Sequence, residues 1–235
     1  MTPPYRLHYA PDNASLIIRL TLDALHQPFE AVLVDRAAQG QNAPAYLALN
    51  PNGLIPTLET PDGPIFETGA ILLWLADRHG ALAPDIGDPS RAAFLKWLFF
   101  VSNTLHCGMR MLFYPDKYAG PDASAQTAMS TQMENEVARH LRTLDHVAGA
   151  GHLWFNGAVP TVLDYYVVSC LRWMALYPKG RAPRGFELGK YPHLLALACR
   201  LEQRPEALAA QNAEGLGPTP FSAPHYATPL EGSAT

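Results

Sequence analysis

The chain has 235 residues, which at about 150 residues per domain bounds it to one large domain or two small ones. Apolar residues make up 48% and charged residues 16%, enough apolar side chain for a sizeable core and a composition unlike that of a disordered protein. The formal charge of −4 argues against a nucleic-acid binder that relies on a basic face.

In chain order, residues 1–84 alternate strand and helix patterns. Residues 7–10 predict a short strand. Residues 15–26 place Leu16, Leu20 and Leu22 at helical spacing, with Ile17, Ile18 and Leu25 widening the apolar face. Residues 31–34, Ala-Val-Leu-Val, read as a buried strand. A polar, glycine-containing stretch over 35–42 leads to a short helix over 44–49, with Pro44 suited to its first turn. Residues 55–60 and 65–67 predict two strands joined by Pro61-Asp62-Gly63, a strong turn sequence. Residues 68–79 predict a helix with Thr68 as N-cap and Gly80 just past its end.

Residues 81–89 carry two prolines and a glycine and read as a linker. Beyond it the pattern is helical: about 88–113, then 124–147 with Met129, Met133, Val137, Leu141 and Leu144 on one stripe, then 161–177 and 192–203. From Gly215 the tail is rich in Pro, Gly, Ser and Thr, and is expected either to wrap the surface or to be disordered. The expected fold class is α+β: an α/β unit over 1–82, an all-helical unit over 88–214 and a tail over 215–235.

Cys107, Cys170 and Cys199 are too few and too scattered for a disulfide framework, and no zinc spacing appears. A reducing compartment and no metal are expected. Residues 1–15 lack a basic segment followed by an apolar one, and the most apolar stretch, 94–113, is interrupted by Lys96, Asn103, His106 and Arg110. The expectation is a cytoplasmic protein that binds neither membrane nor nucleic acid.

Four local features bear on chemistry. In Asn50-Pro-Asn-Gly-Leu54-Ile55-Pro56, a proline enters what otherwise reads as a strand, so it must sit at an edge, a strand start or a bend. A cis Ile55-Pro56 bond would leave the Ile55 main chain free to pair with a peptide-like ligand; a trans proline at a strand start is the alternative. In Glu67-Thr68-Gly69, a helix start offers N–H groups to a carboxylate, with Glu67 suited to an adjacent ammonium group; a simple capped helix is the alternative. The turn Tyr9-Ala-Pro-Asp-Asn13-Ala14-Ser15 places amide and hydroxyl donors where a helix begins, an environment that stabilises a thiolate or merely caps the helix. Thr161-Val-Leu-Asp164 matches a capping box, a structural device.

Together these segments resemble the cytosolic glutathione transferase superfamily. Tyr191-Pro192-His-Leu and Arg204-Pro205 strengthen the likeness to its bacterial members, and it runs from about Leu7 to Leu208. The resemblance implies a thioredoxin-like N-terminal domain, a helical C-terminal domain and a homodimer. It implies a glutathione co-substrate held by Leu54, the Ile55 main chain and cis Pro56 at its cysteinyl part, and by Glu67 and Thr68 at its γ-glutamyl end. Arg36, Gln39 and Gln41 lie where relatives bind the glycyl carboxylate.

The pattern departs from the family at the catalytic position. Against cysteine-dependent beta-type members, Ala14 stands where the Cys belongs, with Ser15 just after it. Against serine-type members, Asn13 falls at the serine position, and Tyr9 is displaced from the position that tyrosine-type members use. Asn13 is the first choice for activating the thiol and Ser15 the second. His106 resembles the active-site His of beta-type members. Met109, Met111, Phe113 and Tyr114 are candidates for an apolar acceptor pocket or for plain core, and Cys107 for a reactive thiol beside it. The implied activity is conjugation of glutathione thiolate to a small, largely apolar electrophile. Glutathione-dependent disulfide or peroxide reduction, and glutathione binding with weak catalysis, are the alternatives.

Overall fold

A computed structural model describes residues 4–180 and 185–234. Residues 1–3 of the expected N-terminal unit and Thr235 of the tail lie outside the described residues.

The N-terminal part is a thioredoxin-like α/β layer. Its strands are β1 (Tyr5–Tyr9), β2 (Phe29–Leu33), β3 (Thr57–Thr60) and β4 (Gly63–Phe66), in the sheet order β2-β1-β3-β4. β1 pairs parallel with β2 and antiparallel with β3, and β3 and β4 form a hairpin. The parallel pair is joined by α1 (Ser15–Ala24), whose Leu16, Ile17, Ile18 and Leu20 are buried. Arg6 faces Glu30 on one neighbour and Glu59 on the other, at 2.9 and 2.7 Å, so charge complementarity reinforces the register on the polar face.

The structure moves several expected boundaries. β1 starts at Tyr5, because Tyr5, Leu7 and Tyr9 all point into core. β2 is an edge strand with only half-buried and exposed residues, not the buried strand that its apolar run suggests. β3 begins only at Thr57, past Pro56, which has no N–H to give a ladder. The Ile55-Pro56 and Tyr177-Pro178 peptide bonds are cis. α2 (Pro44–Leu47) is a single turn, and α3 (Thr68–His79) begins at Thr68 itself, so the N-cap position falls to Glu67 at φ 70°. Gly80 ends α3 in the left-handed region, as the sequence predicts.

The remainder is helical: α4 (Arg91–Phe100), α5 (His106–Phe113), α6 (Pro115–Ala119), α7 (Ala123–Ala148), α8 (Val162–Leu176), α9 (Pro192–Leu201) and α10 (Pro205–Glu214). The expected long helix over 88–113 is two α-helices joined by a π-wound stretch, Val101–Leu105. α6 and α10 are additional to the elements that the sequence predicts. α8 is the central helix, buried on nearly every face. Its start is held by Asp164, which accepts from the N–H groups of Thr161 and Asn156, both at 2.7 Å.

Of the two alternatives for the tail, the described residues wrap. Thr228 N–H donates to the Gly215 carbonyl at 2.9 Å, Ser222 bonds to Glu202, and Phe221 is buried. The tail is anchored by Arg172 of α8, which donates to the carbonyls of Leu216, Pro220 and His225.

The same guanidinium forms a two-pronged ion pair with Asp12 in the β1–α1 turn, at 2.8 and 2.9 Å, both side chains being wholly buried. Asp12 also accepts from Trp173 Nε1 at 3.0 Å and Tyr177 Oη at 2.8 Å. Its own N–H donates to Glu214, which pairs with Arg19 of α1. Two cations and two carboxylates thus join the two halves of the molecule.

Removing one partner of such a pair strands a buried charge, at a cost of about 3–5 kcal/mol. Asp12→Asn should lose that much stability in urea unfolding. Arg172→Met should also be destabilising, and Asp12→Asn/Arg172→Met should lose less than the sum of the two single losses; an additive loss would show that the pair is not coupled in this way.

Candidate functional site

A cavity of about 560 Å³ lies between the two halves. The N-terminal wall is formed by Asn13 and Ala14 just before α1, Arg36 and Gln41 after β2, Asn50 and Gly53 to Pro56, and Glu67 and Thr68 at the start of α3. The other wall comes from the π stretch, α5, α6 and α8.

The 50–56 segment is shaped by buried groups. Tyr46 Oη and Asn50 Nδ2 both donate to the Leu54 carbonyl, at 2.6 and 2.7 Å. That carbonyl is therefore spent on the protein, and Leu54 meets the cavity mainly through a side chain that is partly exposed. Gly53 sits at φ 60°, 3.1 Å from the Gln41 carbonyl as measured from where a Cβ would stand, so glycine suits it on both counts. Gly69 performs a similar service at the start of α3, where a Cβ would lie 3.1 Å from Ser102 Oγ. The absence of a side chain there lets Glu67 and Thr68 approach the π stretch that bears Ser102 and Asn103.

At the β1–α1 turn the candidates separate. Asn13 lines the cavity, and its Oδ1 accepts from Ala14 N–H at 2.8 Å. Ser15 is fully buried away from the cavity wall. Its hydroxyl donates to the Ala10 carbonyl at 3.0 Å and accepts from the Ala10 N–H at 3.3 Å. It therefore clamps the turn: its one O–H is spent on the Ala10 carbonyl, and it lies outside the cavity lining in which the sequence predicts a thiol-activating donor. Tyr9 is buried under Arg19, whose guanidinium lies 4.9 Å from its ring centroid, and it too is absent from the wall.

His106, the first residue of α5, lies at the cavity wall between Tyr166 and Trp173. Its Nδ1 is 2.9 Å from Tyr166 Oη. Burial, helped by the charge of Arg110, pushes the imidazole down to about 4, so it is neutral near pH 7. Burial keeps Tyr166 a neutral phenol. A phenol that donates to Nδ1 leaves the imidazole proton on Nε2.

The rest of the far wall is aromatic and cationic: Phe113, Tyr114, Tyr118, Trp173 and Tyr177, with Arg110 and Lys117. Met109 is core, and neither it nor Met111 nor Gln39 belongs to the lining. Cys107 does line the cavity and is half-buried, whereas Cys170 is sealed in α8 with its thiol pushed up by burial. Among the described residues no cluster of three His, Cys, Asp or Glu could hold a metal ion, and no helix is long and apolar enough to cross a membrane.

Residues 9–84 match the family model described as glutathione S-transferase, N-terminal domain. Glutathione S-transferase GstA of Escherichia coli O157:H7 is 32% identical over 218 residues, covering 90% of this chain and 99% of that protein. The chain belongs to the glutathione S-transferase family. Another relative is the disulfide-bond oxidoreductase YfcG of Escherichia coli K12, 27% identical over 85% of this chain and 90% of its own length. Among solved structures, a sphingomonad glutathione S-transferase complexed with glutathione superposes with a TM-score of 0.73 at 32% identity, covering 90% of this chain and all of that one.

Within this glutathione S-transferase fold, sequence reasoning missed Asp12, Tyr46, Arg110 and Lys117 as shapers of the cavity.

The neutral state of His106 has a consequence for stability. A His held near 4 in the fold and near 6.5 when unfolded favours the fold above pH 6.5, and that contribution is lost as pH falls from 6.5 towards 4. His106→Gln should reduce the stability lost between pH 7.5 and 4.5 by about 2 kcal/mol. Urea unfolding at the two pH values checks this; equal losses in both proteins would show that His106 is not held neutral.

Proposed function

We propose that the protein is a transferase that binds glutathione as its thiolate and joins it to a small, largely apolar electrophile. The observation that carries this reading is the convergence of Asn13, Ile55, Glu67 and Thr68 on one wall of a cavity whose facing wall is aromatic. The Ile55 main chain pairs with the cysteinyl unit, the start of α3 takes the γ-glutamyl carboxylate, and Glu67 takes the ammonium group. The Asn13 amide donates to the sulfur, favouring the thiolate of a thiol whose ordinary pKa is about 8.5. His106, neutral, supplies a second donor without adding charge. Positioning and thiolate stabilisation are the protein's work. Residues 1–82 serve as the glutathione-binding unit and 88–214 as the acceptor unit, in a homodimer that sedimentation should reveal at twice 25.7 kDa.

Disulfide reduction is the second reading, favoured by the Cys107 thiol in the cavity wall. Assays with 1-chloro-2,4-dinitrobenzene and with hydroxyethyl disulfide separate the two. Conjugate formation without disulfide turnover supports the transferase, and the reverse replaces it. Inactivity in both, with glutathione still bound, leaves a binding protein.

Glu67→Ala should weaken glutathione binding by about 1–3 kcal/mol, the scale of a lost charge-assisted contact. Unchanged affinity by calorimetry would remove Glu67 from the site. Asn13→Ala should raise the pKa of bound glutathione by about one unit, read from thiolate absorbance near 240 nm. Ser15→Ala should leave that titration in place and lower stability by about 1 kcal/mol, because it frees the Ala10 main chain. A shift in Ser15→Ala alone would reverse the roles.

A further inference from the structure

The far wall of the cavity carries two cations that the activity proposed above does not use. Arg110 on α5 is half-buried, and its Nε donates to the Tyr118 hydroxyl at 3.1 Å. Lys117 on α6 lies 4.6 Å from the Tyr114 ring centroid. Neither forms an ion pair with a carboxylate among the described residues; each is held by a phenol that itself lines the cavity. Of the carboxylates in the lining, Asp12 is consumed by Arg172, and Glu67 sits on the N-terminal wall. The acceptor side is thus a positive aromatic surface in a protein whose net charge is −4. The Arg110 charge also reaches His106 one helical turn away, where it helps to lower the imidazole pKa.

Arg110, half-buried in the cavity wall, and Lys117, exposed at its rim, carry no ion pair among the described residues and so favour anions, and a guanidinium binds a carboxylate with a fixed, planar geometry. Resting on the transferase reading above, we propose that the acceptor is an anionic aromatic electrophile, its ring against Phe113 and Tyr114 and its carboxylate on Arg110 and Lys117. The apolar acceptor expected from the sequence thus keeps its apolar body and gains a charged end. With an aryl chloride as probe, the glutathione sulfur uses its lone pair to form the new C–S bond. The C–Cl bond breaks, chloride leaves with that bond's electron pair, and no oxidant or reductant is needed.

The test compares 4-chloro-3,5-dinitrobenzoate with its neutral methyl ester, each rate divided by its uncatalysed rate to remove intrinsic reactivity. The expected result is a kcat/KM at least tenfold higher for the acid, falling to within about twofold of the ester in Arg110→Gln/Lys117→Gln. A native ratio near one, or a preference that survives the double substitution, overturns the proposal while turnover of the ester leaves the transferase reading standing. A preserved preference together with a raised KM for glutathione assigns the cations to glutathione itself and likewise overturns it. Should neither acceptor turn over, the transferase reading fails, and calorimetry with the two preformed S-aryl conjugates decides the charge preference. Tenfold tighter binding of the acid conjugate, lost in the double variant, supports it; equal binding refutes it.

Discussion

The buried pair between Asp12 and Arg172 is the interaction on which the rest of the molecule depends. It ties the turn that carries Asn13 to the helix that carries Tyr166, Trp173 and Tyr177, and through three carbonyls it ties both to the C-terminal tail. Ion pairs removed from water add little net stability over apolar packing, because desolvation offsets the attraction. Their effect is directional. A guanidinium with its donors engaged by a carboxylate and carbonyls accepts few other arrangements of the segments around it. Glu214 and Arg19 extend the cluster with a second pair, so no net formal charge is left inside.

Neutralising that interior leaves the cavity's field to a few groups. Asp12 faces the cleft but is compensated by Arg172, and His106 is held neutral by burial and by Arg110. Arg110 and Lys117 on one wall, and Arg36 and Glu67 on the other, then give the cavity its polarity. In a cleft with low-dielectric walls, such charges act over longer range than on an open surface.

The π-wound stretch Val101–Leu105 matters for the same geometry. A wider turn just before His106 resets the phase of the helix, and such turns are frequent at functional sites. It presents Ser102 to Gly69 and Asn103 to the cavity, so the start of α3 and the start of α5 converge on one space. A cavity between two packed units, lined by a few polar groups and many aromatic ones, is a common design for small-molecule sites.

The sequence by itself determined whatever depends on neighbours a few residues apart. The alternation of strand and helix, the Gly80 helix end, the Thr161–Asp164 start of α8 and the bend at Pro56 are local, because capping and turn formation are settled within one or two turns of chain. The same locality made Asn13, Ile55, Glu67 and Thr68 readable as a set of donors and acceptors at element ends. Only the tertiary structure decided what depends on partners far away in the chain. Asp12 and Arg172 are 160 positions apart, and no local pattern distinguishes that aspartate from an ordinary turn residue. Whether Ser15 faced the cleft or the Ala10 main chain depended on how the turn closed. The exposure of β2 depended on its place at the sheet edge, which its apolar run could not reveal. The tail read from composition as wrapped or disordered. Arg172 resolves this, because burying a guanidinium requires acceptors and the tail's carbonyls supply them.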